Sequence, residues 1–234
     1  GIYGIAFKHK LLISTSIKQV LANASKIFAV AGPAMVTNVV TPVGNAIVLK
    51  AMSQFGDSYV AAFAIIGRLG PVVFGLVFAL SGAVAPIIGQ NFGALKFDRI
   101  RETLNKALIF NAVYVVIVSL LLAIACPWLI TTFGMTGEGA QLMRWFCYLI
   151  SFSFVFNGVQ FVANAAFNNL GRPIFATTFN ALRATVFTYP FVYLGAQLDG
   201  AEGVLSGQAI GGVIIAVISV WAAYIHLNKL EAAK

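Results

Sequence analysis

The sequence predicts an all-α integral membrane protein, a six-transmembrane-helix bundle, and three observations carry that prediction. Of the 234 residues 60% are hydrophobic and only 9% charged, whereas a soluble globule carries about 25% charged residues. The uncharged runs are long: from Leu69 to Ala94 no charged residue occurs, which exceeds the ~20 apolar residues that cross a bilayer core. Finally, no ten-residue alternating pattern of a membrane barrel is present. A mean hydropathy of +0.91 agrees with all three.

The amino-terminal residues 1–26 are the one segment with regularly spaced lysines, at Lys8, Lys10, Lys18 and Lys26. Ser16 and Gln19 read as a capping box, followed by Ile17, Val20, Leu21, Ala24 and Phe28 at helical spacing. This fits an amphipathic helix lying on an anionic membrane face, and it fits equally a plain cytoplasmic connector. Six apolar spans follow at about 27–50, 58–89, 104–128, 140–168, 173–197 and 203–226. Between them stand turn-forming clusters: QFGD at 54–57, GALKFDR at 93–99, FGMTGEG at 133–139, NNLGRP at 168–173 and LDGAEG at 198–203. Pro33, Pro42, Pro71 and Pro86 fall in or beside the first two spans, where each removes a helix hydrogen bond and allows bending. Asp98 can cap the third span, and Glu102 with Lys106 forms a favourable i, i+4 pair. In the last span Gly203, Gly207 and Gly211 make a small-residue ridge for close helix packing.

The net charge of +8 is explained by orientation and not by nucleic acid, because the basic residues lie in short connections. Placing the amino-terminal segment inside puts Lys8, Lys10, Lys18, Lys26, Lys96, Arg99, Arg101, Lys106, Arg172, Lys229 and Lys234 inside, with Lys50 and Arg144 outside. Asp57, Glu138, Asp199 and Glu202 then lie outside. Both termini are thus expected in the cytoplasm, with residues 27–228 as the bundle and 229–234 as a cytoplasmic tail.

Function is most legible in the polar residues at membrane depth. Thr37, Asn38, Thr41 and Asn45 cluster in the first span, and Asn157, Gln160, Asn164 and Asn168 lie on one face of the fourth. Such a stripe must face helices or water, because amides facing lipid are costly. Arg68 and Arg183 sit about ten residues into the second and fifth spans, near mid-bilayer at ~1.5 Å per residue. No span holds an Asp or Glu at depth to pair with them, so their partners are carbonyls, amides, bound anions or another polypeptide. They are read either as cavity residues or as packing arginines.

Several chemistries are excluded. Only His9 and His226 are present, Cys126 and Cys147 match no metal or redox spacing, and GxSxG, HExxH and Walker motifs are absent. Enzyme, metal-site and ATP-driven readings therefore find no support, and no filter sequence or arginine ladder marks an ion channel.

The run from Gly32 to Thr103 resembles one repeat of the multidrug and toxic compound extrusion (MATE) family. The similarity lies in the broken first helix at Pro33, the AAFAIIGR entry at 61–68 and the AxxPIIGQNFGA exit from Ala83 to Ala94. NNLGRP at 168–173, Arg183 and Pro190 are similar to that family too. The resemblance implies half of a twelve-helix antiporter with two six-helix lobes, and the charged tail NKLEAAK points to the carboxy-terminal one. It implies efflux of organic cations or amphipathic drugs across the plasma membrane, most simply a bacterial inner membrane. The exchange is with H+ or Na+, no cofactor is needed, and the partners are the other lobe and the lipid bilayer. Some members carry carboxylates in the first and fourth spans of this lobe, where Thr41 and the amides stand here, which puts acidic coupling from this lobe in doubt. The expected cavity wall is Thr37, Asn38, Thr41, Asn45, Arg68, Asn157, Gln160, Asn164, Asn180 and Arg183. The alternatives are a lipid-linked precursor flippase of the same superfamily and a self-contained six-helix oligomeric channel or scaffold.

Overall fold

The structure, a computed structural model, describes residues 42–233 together with Lys18 and Ala24. The expected capping box at Ser16, the broken helix at Pro33, and Thr37, Asn38 and Thr41 lie outside the described residues. The chain divides into units of residues 1–36 and 37–234, and everything below concerns the second.

The described residues are helical throughout, with no strand among them. Residues 42–52 form α1, followed by α2 (Asp57–Val73), α3 (Gly75–Gly93), α4 (Phe97–Thr132) and α5 (Gly137–Tyr148). A 3-10 turn (Ile150–Ser153), α6 (Phe154–Asn169), α7 (Pro173–Ala184) and α8 (Tyr189–Ala232) complete the chain. Four segments are long and apolar enough to cross a membrane: Gly75–Gly93, Phe97–Thr132, Ile150–Asn169 and Pro173–Ala232. Five of the six expected spans can be followed once breaks and a reversal are included; most of the first, 27–50, lies outside the described residues. The second span is α2 plus α3, and the fourth is α5, the 3-10 turn and α6. The fifth is α7 plus the start of α8. α8 itself doubles back at Asp199 and Gly200, where Gly200 takes φ 57 and ψ −134, a conformation essentially confined to glycine. α4 begins about two turns earlier than the expected 104, at Phe97, so Asp98 sits in its first turn and makes no cap bond; the Lys106–Glu102 pair is present at 2.6 Å.

The breaks have identifiable causes. Pro71 lies three residues before the non-helical Phe74, and the Tyr114 hydroxyl of α4 donates to the Val73 carbonyl at 2.9 Å, satisfying a group left open there. The helix runs unbroken through Pro86. In the fourth span no proline is present; Ser151 and Ser153 donate to the carbonyls of Cys147 and Ile150, bonds that compete with the helical ladder and tighten it. The two breaks meet, with the Phe74 and Phe154 rings stacked at 4.2 Å. In the fifth span Thr185 and Thr188 donate to the carbonyls of Ala181 and Arg183 ahead of Pro190.

Two apolar clusters hold the bundle together. One gathers Met52, Phe74, Leu142, Phe146 and Leu205 toward the end bearing Asp57, Glu138 and Asp199, here the acidic end. The other gathers Ile88, Ile100, Leu104, Phe167 and Leu227 toward the end bearing Lys96, Arg99 and Arg172, the basic end. α6 is central and touches α3, α4, α7 and α8. The glycine ridge packs as expected: added Cβ atoms at Gly207 and Gly211 would lie 2.0 Å from the carbonyl oxygens of Phe191 and Phe187. The two arms of α8 therefore meet backbone to backbone. The outside is apolar, with Val72 80% and Ile124 78% exposed, as lipid-facing surface requires.

Candidate substrate-facing site

Between the two clusters lies a polar seam. Along α4 the acidic-end core ends at Val115 and the basic-end core at Ala107, with the buried Asn111 between. Ser219 plays the same part on α8, and Gln160 on α6. Helical spacing then puts Asn157, Gln160 and Asn164 on one face of α6, toward Asn180 and Arg183 one turn apart on α7.

These side chains form a directed chain of hydrogen bonds. Ser219 Oγ shares its hydrogen between Gln160 Oε1 and the Ala216 carbonyl, each at 2.9 Å, while Gln160 Nε2 donates to Asn164 Oδ1 at 3.3 Å and Asn164 Nδ2 to Asn180 Oδ1 at 3.1 Å. Beside it Arg183 Nη2 donates to Asn157 Oδ1. Gln160 is fully buried and Asn164 8% exposed, while Asn157, Asn180 and Arg183 are each only partly buried. The first pair is thus a held framework, and the other three are its reachable edge.

Of the expected wall, the structure brings together Asn157, Gln160, Asn164, Asn180 and Arg183. Arg68 is exposed on α2 and bonds none of them, and Asn168 is exposed, off the buried stripe. Asn45 is exposed on α1, whose buried Gly44 sits against α7: a Cβ there would meet Ala184 Cβ at 3.1 Å. Sequence reasoning missed Ser219 and Asn111. Asn111 Nδ2 donates to the Val155 carbonyl at 2.8 Å, close to the α6 break, while its Oδ1 is buried without a partner. A lone polar residue in a long apolar span was the available signal for both. Glu202, expected in a loop, is only 9% exposed, and its Oε1 has no partner. Among the described residues no cluster of three potential metal ligands occurs.

Comparisons with known proteins agree with the geometry. The MatE family pattern matches residues 33–194. The chain is 32% identical over 224 residues to the uncharacterized 21 kDa protein in the iaaL 5′ region of Pseudomonas savastanoi, covering 92% of this chain and 71% of that one. It is 27% identical over 217 residues to the FAD transporter of Shewanella oneidensis, covering 92% and 48%. The bent form of the Vibrio cholerae MATE transporter VcmN superposes with a TM-score of 0.79 at 26% identity, covering 93% of this chain and 48% of that one. The chain thus spans about half the length of both transporters. A multi-pass helical membrane chain with a polar seam, matched by the family pattern over most of its length, belongs to the MatE family, whose members are transporters and not enzymes.

Proposed function

We propose that this chain is one lobe of a secondary antiporter that exports small organic molecules by alternating access, coupled to inward H+ or Na+. The excess of lysine and arginine at one end supports both termini being cytoplasmic, and the location read with it is a bacterial inner membrane. Residues 1–26 would be the connector, 27–228 the bundle and 229–234 the tail, with a second six-helix lobe as partner. The carrying observation is the seam itself: amides from α6 and α7, a serine from α8 and an arginine meet between two apolar clusters, and three of them remain reachable. Helices broken at Phe74, at 149–153 and at 185–188 supply the flexibility that rocking needs.

Efflux by the whole protein in cells lacking other exporters tests this reading, with Asn164→Ala and Arg68→Ala variants at equal abundance. Asn164→Ala should impair efflux, and dissipating the ion gradients should abolish it. Gradient-independent efflux, or efflux untouched by Asn164→Ala, would contradict the proposal.

A further inference from the structure

We infer that the substrate bound at this seam carries an anionic oxygen group, a phosphate or a carboxylate, and that Arg183 receives it. The inference rests on the transport reading above and changes the expected substrate class from organic cation to organic anion.

The first argument is charge. The seven acidic residues are Asp57, Asp98, Glu102, Glu138, Asp199, Glu202 and Glu231. Asp57, Glu138, Asp199 and Glu202 belong to one end of the bundle and Asp98, Glu102 and Glu231 to the other, where Glu102 and Glu231 already pair with Lys106 and Arg101. No carboxylate of this chain therefore stands on the α6–α7 seam beside Arg183. A guanidinium held in an apolar bundle without a counter-charge is unfavourable. Its place in the last turn of α7 offsets only part of that cost through the helix dipole.

The second argument is the direction of the hydrogen bonds. Gln160 Nε2 donates to Asn164 Oδ1 and Asn164 Nδ2 to Asn180 Oδ1, so the Asn180 carbonyl oxygen is used and its Nδ2 is the open end. Asn157 likewise spends its Oδ1 on Arg183, leaving Nδ2 open. Neither amide nitrogen donates to a described residue. Arg183 has five N–H donors in a fixed fork, and Asn157 takes one of its nitrogens. Among the described residues the reachable edge is thus rich in donors and poor in acceptors, which suits an oxyanion and opposes a cation.

The third is space. Gly212 of α8 stands beside the guanidinium, and even a Cβ there would lie 3.8 Å from Nη2 and 3.9 Å from Nε. Glycine at position 212 therefore places no side chain of its own over that side of the fork.

The test is binding to the whole protein in lipid nanodiscs, with four probes: FAD for phosphate, folate for carboxylate, riboflavin as a neutral ring lacking both, and ethidium as a cation. One or both anions should bind about tenfold more tightly than riboflavin. Arg183→Gln should collapse that ratio toward one, and Arg183→Lys, a point charge without the fork, should retain part of it. FAD alone exceeding riboflavin assigns phosphate; folate alone assigns carboxylate. The inference is overturned if neither anion exceeds riboflavin. It is overturned equally if the ratio survives Arg183→Gln, or if all affinities fall in parallel, as for a packing arginine. Transport into proteoliposomes separates the two claims: movement of ethidium without anion preference sinks the substrate class alone, whereas transport of none of the four sinks the transport reading.

Discussion

At the scale of single residues, the most constrained contact is between Asn111 and Gly158. A Cβ on Gly158 would lie 1.8 Å from Asn111 Oδ1 and 2.3 Å from its Cγ, so no small rotation of the amide relieves it. Gly158→Ala should therefore destabilise by roughly 1–3 kcal/mol, the range for overpacking. Adding Asn111→Ala should restore part of the loss, because the obstructing amide is then gone. Thermal unfolding in detergent measures both; a neutral Gly158→Ala, or strictly additive losses, would show that the helices relax apart. Gly158 is a different case from Gly82, where a Cβ meets no described atom within 4 Å. Gly82→Ala should be neutral or stabilising by up to about 1 kcal/mol, since it removes a helix-interior glycine. A clear loss of melting temperature would contradict that.

At the scale of elements, the broken spans show where reading the chain succeeded and where it stopped. Pro71 announced its interruption in advance, because a missing N–H is a local property visible in the residue itself, whereas the bend expected at Pro86 did not break its helix. The 149–153 break was not legible: it depends on two serines turning back onto carbonyls and on a phenylalanine finding its stacking partner in another helix. Likewise the stripe at Asn157, Gln160 and Asn164 follows from spacing, but its pairing with Asn180 and Ser219 requires knowing which helices are neighbours. Arg68 and Arg183 looked equivalent by position along their spans, and only packing separates the exposed one from the one on the seam. Two expectations follow for the elements. Tyr114→Phe removes the donor to Val73 and should cost about 0.5–1.5 kcal/mol; an unchanged unfolding midpoint would mean that water or another group already serves that carbonyl. Gly207→Val should prevent the arms of α8 from closing, since its first carbon alone would lie 2.0 Å from the Phe191 carbonyl oxygen. Loss of a monodisperse detergent-purified species is the expected readout, and wild-type behaviour would refute the backbone-to-backbone packing.

At the scale of the whole molecule, the arrangement inverts that of a soluble protein. Large apolar side chains cover the outside of α4 from Ile109 to Ile124, while the interior carries a polar level between two apolar clusters. The low charge content and the length of the uncharged runs made the membrane class legible early. The seam was legible only as a list of polar residues, because the order in which donors meet acceptors is set by three helices together. That order is what gives this lobe its functional reading: buried amides hold the framework, and the edge formed by Asn157, Asn180 and Arg183 is left to meet a solute.

Water access to that edge is therefore the most direct measurement. In the whole protein, with Cys126 and Cys147 replaced by alanine, Asn157→Cys, Asn180→Cys and Ile124→Cys would be exposed in turn to a membrane-impermeant maleimide. The account expects labelling at positions 157 and 180 that rises or falls when substrate or an ion gradient is applied, and none at the lipid-facing position 124. No labelling at 157 and 180 under any condition, or labelling no different from that at 124, would contradict it.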